Sequence, residues 1–164
     1  MHRIEHSVWL DASPEAAYDY LSTLRNWARW YPGAIRMEGQ IDVPSAAGDT
    51  AIEHVRTLGI TGKLRWTTVE SFRPSRFVIE TTSAEMPLMR GSRLRITYTF
   101  EQPEGPAGRT RMVRMLDYDF TGLARFLAKV YLHTHFKRQG ALALAKLTEL
   151  VHHEFRDERL RHAR

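Results

Sequence analysis

The spacing of apolar residues along this chain begins at two, switches briefly to the helical 3.6, returns to two through the middle and ends on a long helical stretch. Ile4, His6, Val8 and Leu10 alternate with Arg3, Glu5, Ser7 and Trp9, the pattern of a half-buried strand. Ser13 is placed to cap a helix with Pro14 at its first position and Glu15 in its first turn. Ala16 to Leu24 then reads as a short helix burying Ala17, Tyr18, Leu21 and Leu24, and Arg25 to Gly33 as a second helical turn stopped by Pro32-Gly33. From Ala34 to about Tyr118 the alternation predicts six strands, 35–43, 50–58, 63–72, 76–83, 92–101 and 109–120, separated by turn residues. In the fifth of these, Arg93, Arg95 and Thr97 fall opposite Leu94, Ile96, Tyr98 and Phe100, so one face of the sheet is wet.

The closing stretch, Thr121 to about Arg159, lacks Pro and is rich in Ala, Leu, Lys and Arg, which predicts one long helix or two nearly collinear ones. Its apolar face follows Phe126, Val130, His133, Phe136 or Lys137, Gly140, Ala143, Leu144, Leu147, Leu150 and Val151. Gly140 divides this face: a Leu/Ala core stripe lies beyond it, and before it a His sits among large apolar groups. A packed end and a hollow end are expected. The order strand, two short helices, six strands, long helix is an α+β arrangement, a curved seven-stranded antiparallel sheet wrapped around the C-terminal helix.

Composition narrows the function classes. With 164 residues and 43% hydrophobic content, residues 1–164 are expected to form a single domain, with 156–164 as a frayed basic tail. No apolar run is long enough to span a membrane and the N-terminal residues have no signal-peptide character, so a cytoplasmic protein without integral membrane association is expected. The absence of cysteine excludes disulfides, thiol catalysis and cysteine-based zinc sites. The net charge of +5 is spread through segments that alternate bases with acids, which favours a solvated surface over a nucleic-acid partner. The oligomeric state, monomer or homodimer, is left open.

Ile4 to Tyr18, with its Pro14-Glu15 helix start, Asn26-Trp27-Ala28-Arg29-Trp30-Tyr31-Pro32-Gly33, and Leu144, Leu147 and Glu149 of the last helix resemble the START-like, Bet v 1-like (SRPBCC) superfamily, in its polyketide cyclase/dehydrase-like branch. The resemblance in element order covers nearly the whole chain. It implies a helix-grip fold with a cavity between sheet and long helix that takes lipids, polyketides, hormones or other apolar molecules. It carries over no catalytic residue, since the superfamily shares none.

The candidate chemistry is therefore a matter of what faces that cavity. His133, on the face shared by Phe126, Val130 and Gly140, is the first candidate acid, base or hydrogen-bond donor, against the alternative of a histidine bonded at the edge of the core. Arg114 shares parity with Thr110, Met112, Leu116 and Tyr118, and facing inward it could hold a carboxylate or enolate; a bulge would turn it to solvent. His54 and Arg56 share parity with Thr50 and Ile52, and His6 with Val8. Trp66, Tyr98, Phe100, Trp27 and Trp30 read as wall or core aromatics, and Met86 to Met89 as a lid or a gap-filling hairpin.

The expected ligand-contacting set is His54, Trp66, Tyr98, Arg114, Phe126, Val130, His133, Phe136 and Lys137. Metal ligation is disfavoured because His133 and His135, and His152 and His153, lie on different helix faces, and no cofactor is expected. Three functions follow: a binder of a hydrophobic or amphipathic, lipid- or polyketide-like molecule; a cyclase, aromatase or dehydratase using His133 and Arg114; or a lipid-handling or protein-interaction module.

Overall fold

The computed structural model describes residues 1–86, 89–102, 108–121, 126 and 131–162, apart from the side chains of residue 82 and of 156–162. Strand β1 (His2–Leu10) leads through the Ser13 cap, whose hydroxyl accepts from the Ala16 amide at 3.2 Å, into α1 (Pro14–Ser22). A single 3₁₀ turn (Leu24–Asn26) precedes α2 (Trp27–Trp30), which buries both of its tryptophans. Strands β2 (Ala34–Gly39), β3 (Thr50–Thr57), β4 (Ile60–Phe72), β5 (Arg76–Glu85), β6 (Arg93–Glu101) and β7 (Thr110–Asp119) follow. The last described element is helix α3 (His133–His162).

The seven strands form one antiparallel sheet in the order β1-β7-β6-β5-β4-β3-β2. The helix-grip arrangement expected from the sequence is present, with two corrections of detail. Strand β2 ends at Gly39 because the next residues pair with the α1 end: the Arg25 amide donates to the Ile41 carbonyl at 3.0 Å and the Ser45 amide to that of Ser22 at 3.1 Å. The β3–β4 turn is only two residues, Leu58 and Gly59, both at positive φ (54° and 78°), as the right-handed twist of a tight hairpin demands.

Inner-face parity runs Ile4, His6, Val8, Leu10 in β1, Leu94, Ile96, Tyr98, Phe100 in β6, and Thr110, Met112, Arg114, Leu116, Tyr118 in β7, as the alternation predicts. In β3 it is reversed from the sequence expectation. Ala51, Glu53 and Val55 are buried, and His54 and Arg56 belong to the other face.

Helix α3 packs against β1 and α2 and buries Phe136, Gly140, Ala143, Leu144, Leu147 and Val151, continuing the face of Leu132. It runs unbroken through Gly140. A Cβ there would lie 2.8 Å from His6 Cε1, 3.2 Å from His6 Nδ1 and 3.3 Å from Arg114 Nη1, so the glycine is explained by what lies beneath the helix. Of the segment assigned to the helix before residue 131, only Thr121, which is not helical, and Phe126, which is 80% exposed, are among the described residues.

The outer face carries ion pairs, Arg3 with Asp117, Arg76 and Arg95 with Glu70, and Arg111 with Glu101. At such exposure these pairs add little to stability. Among the described residues no helix is long and apolar enough to cross a membrane.

Candidate functional site

Register brings one row of side chains across the inner face. His6 pairs with Arg114, Arg114 with Tyr98 and Tyr98 with Phe77, so strand alternation alone sets a cation between an imidazole and a phenol. Arg114 is 1% exposed, and its Nε and Nη1 have no hydrogen-bond partner among the described residues. Burying guanidinium nitrogens without acceptors is costly, which makes these two the most conspicuous feature of the interior.

From the far side of the sheet β3 contributes Glu53, 2% exposed. Its Oε2 accepts from the Trp66 indole N–H at 2.8 Å, while Oε1 has no partner among the described residues. Burial pushes its carboxyl up to about 7; the Trp66 hydrogen bond and the positive charge of Arg114 resist that rise. Burial likewise raises the Tyr98 hydroxyl against the pull of Arg114, and pushes Tyr31 up to about 12. Trp30 is fully buried with its indole N–H unpartnered among the described residues.

These groups wall one cavity between sheet and helices. Trp27, Trp30 and Tyr31 come from α2 and its end, Glu53 and Val55 from β3, Leu64 and Trp66 from β4, and Leu94, Ile96 and Tyr98 from β6. Arg114 and Leu116 of β7, Met89, Thr57 and Phe136 of α3 complete the wall. The cavity's free volume is only about 30 Å³. A drug-sized ligand needs roughly 300–1,000 Å³, so wall side chains must part to admit one.

A second, smaller hollow lies at Thr57, Leu58, Ile60, Met86, Met89, Phe120, Leu132 and Phe136, and shares Thr57, Met89 and Phe136 with the first. The two hollows therefore adjoin between the Leu58–Gly59 hairpin and the start of α3. Gly62 seats Met86 beside the second, since a Cβ there would clash with Met86 Cγ. Pro87 and Leu88 of the suggested lid are outside the described residues.

Behind the cavity, His6 ties the sheet to the helix. Its Nε2 lies 3.0 Å from the Lys137 carbonyl oxygen, which requires the N–H there and leaves Nδ1 an acceptor with no partner among the described residues. Burial and then the charge of Arg114 lower its pKa, keeping the ring neutral.

Of the residues singled out in the sequence, Trp66, Tyr98, Arg114 and Phe136 meet at the cavity. His133 is not among its lining: Nδ1 sits 2.7 Å from the hydroxyl of Tyr118, whose ring packs on Phe120 and Phe136 of the second hollow. His54 belongs to the opposite sheet face, with Nε2 2.9 Å from Glu38 Oε1 but not aligned as a hydrogen bond. Lys137 points its side chain to solvent and contributes only its carbonyl, Phe126 is exposed, and Val130 is outside the described residues. Glu53 and the Trp30 N–H were missed. The available signal for Glu53 was a lone acid between Ala51 and Val55, two small apolar residues of one parity.

Compared with solved structures, the chain is similar to the Zhui aromatase/cyclase from Streptomyces sp. R1128, at 15% identity and a TM-score of 0.74 over 92% of this chain and 93% of that one. It is similar also to the protein TTHA0849 from Thermus thermophilus (18%, TM-score 0.72, 92% and 97% covered). A START superfamily protein from Mycobacterium smegmatis gives 16%, 0.65, and 92% and 99%. At these identities the likeness is one of fold. Comparison of the sequence with curated proteins finds no match. The family described as "Polyketide cyclase / dehydrase and lipid transport" matches residues 1–152, and the chain, with its helix-grip fold and enclosed sheet–helix cavity, belongs to that family.

Proposed function

We propose that the protein binds an apolar small molecule, lipid- or polyketide-like, in the cavity between sheet and long helix, oriented by polar groups at the cavity's inner end. The observation that carries this reading is Arg114, fully buried in an aromatic and aliphatic wall with two donors that none of the described residues uses. A structural core would fill that position with a hydrophobe of similar volume at no loss. Family membership and the aromatase/cyclase and START likenesses support the same reading.

Three of the four tryptophans line the cavity, so titration with fused-ring aromatics and fatty acids should quench fluorescence saturably at one site. Ile96→Phe, which fills the cavity from the β6 wall, should abolish that quenching. Quenching that never saturates, or that survives Ile96→Phe in a folded protein, would sink the reading.

A second reading, proton transfer on a polyketide-like carbonyl compound, is favoured by Glu53. A carboxyl near neutrality facing the cavity with a guanidinium opposite is the arrangement that removes a proton α to a carbonyl and holds the enolate oxygen. In this reading Arg114 keeps the role expected of it and Glu53 acts as the base, while His133 is held by Tyr118 outside the cavity lining.

A further inference from the structure

We infer that the cavity selects a compact monoanion with an aromatic or alicyclic body, a carboxylate or an acidic enol, whose charged oxygen rests on Arg114 while Glu53 takes up one proton and donates it as a hydrogen bond to the same molecule. The inference rests on the binding reading above and adds the charge of the ligand and the fate of a proton.

The unpartnered atoms on the wall set the ligand's chemistry. Arg114 Nε and Nη1 and Trp30 Nε1 are donors without acceptors among the described residues, and Glu53 Oε1 is the remaining polar atom in that state on the same wall. Three donors and one carboxyl oxygen ask for a ligand rich in acceptors. Among the described residues Arg114 is the sole cationic side chain lining the cavity, so one negative charge is matched and a second is not. The aromatic rings of Trp27, Trp30, Trp66, Tyr31 and Tyr98 leave flat apolar space for the rest of the molecule.

Charge balance then fixes Glu53. With its carboxylate ionised, the cavity is neutral before the ligand enters and carries an unmatched negative charge afterwards, in apolar surroundings where that is costly. Protonating Glu53 restores neutrality and converts its free oxygen into a donor. The groups facing Glu53 are Arg114 from β7, Trp66 from β4, Tyr98 from β6 and Tyr31 beyond α2, and Arg114 is also faced by His6 of β1. Burial raises both tyrosines above their ordinary 10 and lowers His6 below its ordinary 6.5, so none of them exchanges a proton between pH 7 and 9; the carboxyl, already pushed up to about 7, does.

Calorimetric titration of the full chain with 2-naphthoic acid and its neutral counterpart 2-naphthamide, from pH 6 to 9 in phosphate and in Tris, tests this. The acid should bind at least tenfold tighter than the amide at pH 7. The difference in heat between the two buffers should report uptake approaching one proton at pH 8, with affinity for the acid falling up to about tenfold per pH unit above 7. Glu53→Gln should remove the proton uptake, and Arg114→Met the preference for the acid. Equal affinities for acid and amide, or tight binding of the acid with no proton uptake by the unmodified protein, would overturn the inference while leaving the cavity a binding site. Binding of neither compound would refute the binding reading and this inference with it.

Discussion

Glu53 offers the most direct measurement of how the interior is built. In the folded protein its carboxyl is pushed from its ordinary 4.5 up to about 7, chiefly by burial, whereas in the unfolded chain it is solvated. The folded state therefore binds more protons than the unfolded state between those two values. Stability is unaffected by Glu53 below about pH 4.5, falls as pH rises from there to about 7, and is flat above. The span corresponds to about 3 kcal/mol, at about 1.36 kcal/mol per pH unit, and little solvent discount applies to a group 2% exposed. Glu53→Gln keeps the side-chain length and an oxygen to accept from the Trp66 indole, but cannot ionise. Any fixed cost of the substitution is the same at every pH and drops out of the difference, while the counter-charge that an ionised Glu53 offers Arg114 is already contained in its folded-state value. Urea denaturation of both proteins from pH 4 to 8 should show the variant gaining about 3 kcal/mol relative to the parent as pH rises, or roughly 6–12 °C in Tm for a chain of this size. The difference is essential because His6, whose pKa is lowered, acts in the opposite direction below about 6.5 in the parent and the variant alike. A difference curve that is level across this range, or that completes its change near pH 4.5, would show that Glu53 is solvated and the cavity wet.

Two further outcomes follow from the same geometry. Gly140→Ala should not give the roughly 1 kcal/mol expected for alanine in a helix interior, because the added Cβ would press on His6 Cε1 at 2.8 Å and crowd Arg114 Nη1 at 3.3 Å. Chemical denaturation should find it neutral to destabilised by about 2 kcal/mol, and a stabilised Gly140→Ala protein would mean that helix and sheet are less closely seated than this. For the proton-transfer reading, the protein should accelerate deuterium exchange at the α-carbon of a cyclic 1,3-diketone in heavy water, followed by NMR, and Glu53→Gln should lower that acceleration by at least tenfold; exchange unaffected by the substitution would remove Glu53 as the base.

The fold was legible because its signals are local and repeated: alternation in seven strands, turn residues between them, a capped Pro14-Glu15 helix start and one long helical stripe. The parity of β3 was not, since Ile52, His54 and Arg56 on one side and Ala51, Glu53 and Val55 on the other are both mixed in polarity. Only long-range pairing, Met37 with Glu53 and Glu53 with Leu64, fixes which side is buried. On the long helix the core-facing line runs Leu132, Phe136, Gly140, whereas the sequence stripe took in His133, one residue and about 100° further round. That small rotation moves the imidazole from the cavity to Tyr118. Arg114 was found by parity, but its lack of a partner is a property of three dimensions.

That lack of partners distinguishes a site from a core with polar residues in it. Eight buried side-chain atoms have no protein partner among the described residues, and four of them, on Trp30, Glu53 and Arg114, lie on one cavity wall. At roughly 1–3 kcal/mol for each unmet group, the fold gives up several kcal/mol in one place, a large fraction of the stability such a domain has. Apolar side chains of similar size would recover it, and the surrounding Leu64, Ile96 and Leu116 show that the wall accepts them. Other buried polar groups are met: Thr110 donates to the Ala12 carbonyl, Trp27 to that of Leu21, and Ser45 and Thr68 bond each other. Trp30, Glu53 and Arg114, left without partners among the described residues around one hollow, are the arrangement that the proposed binding site requires.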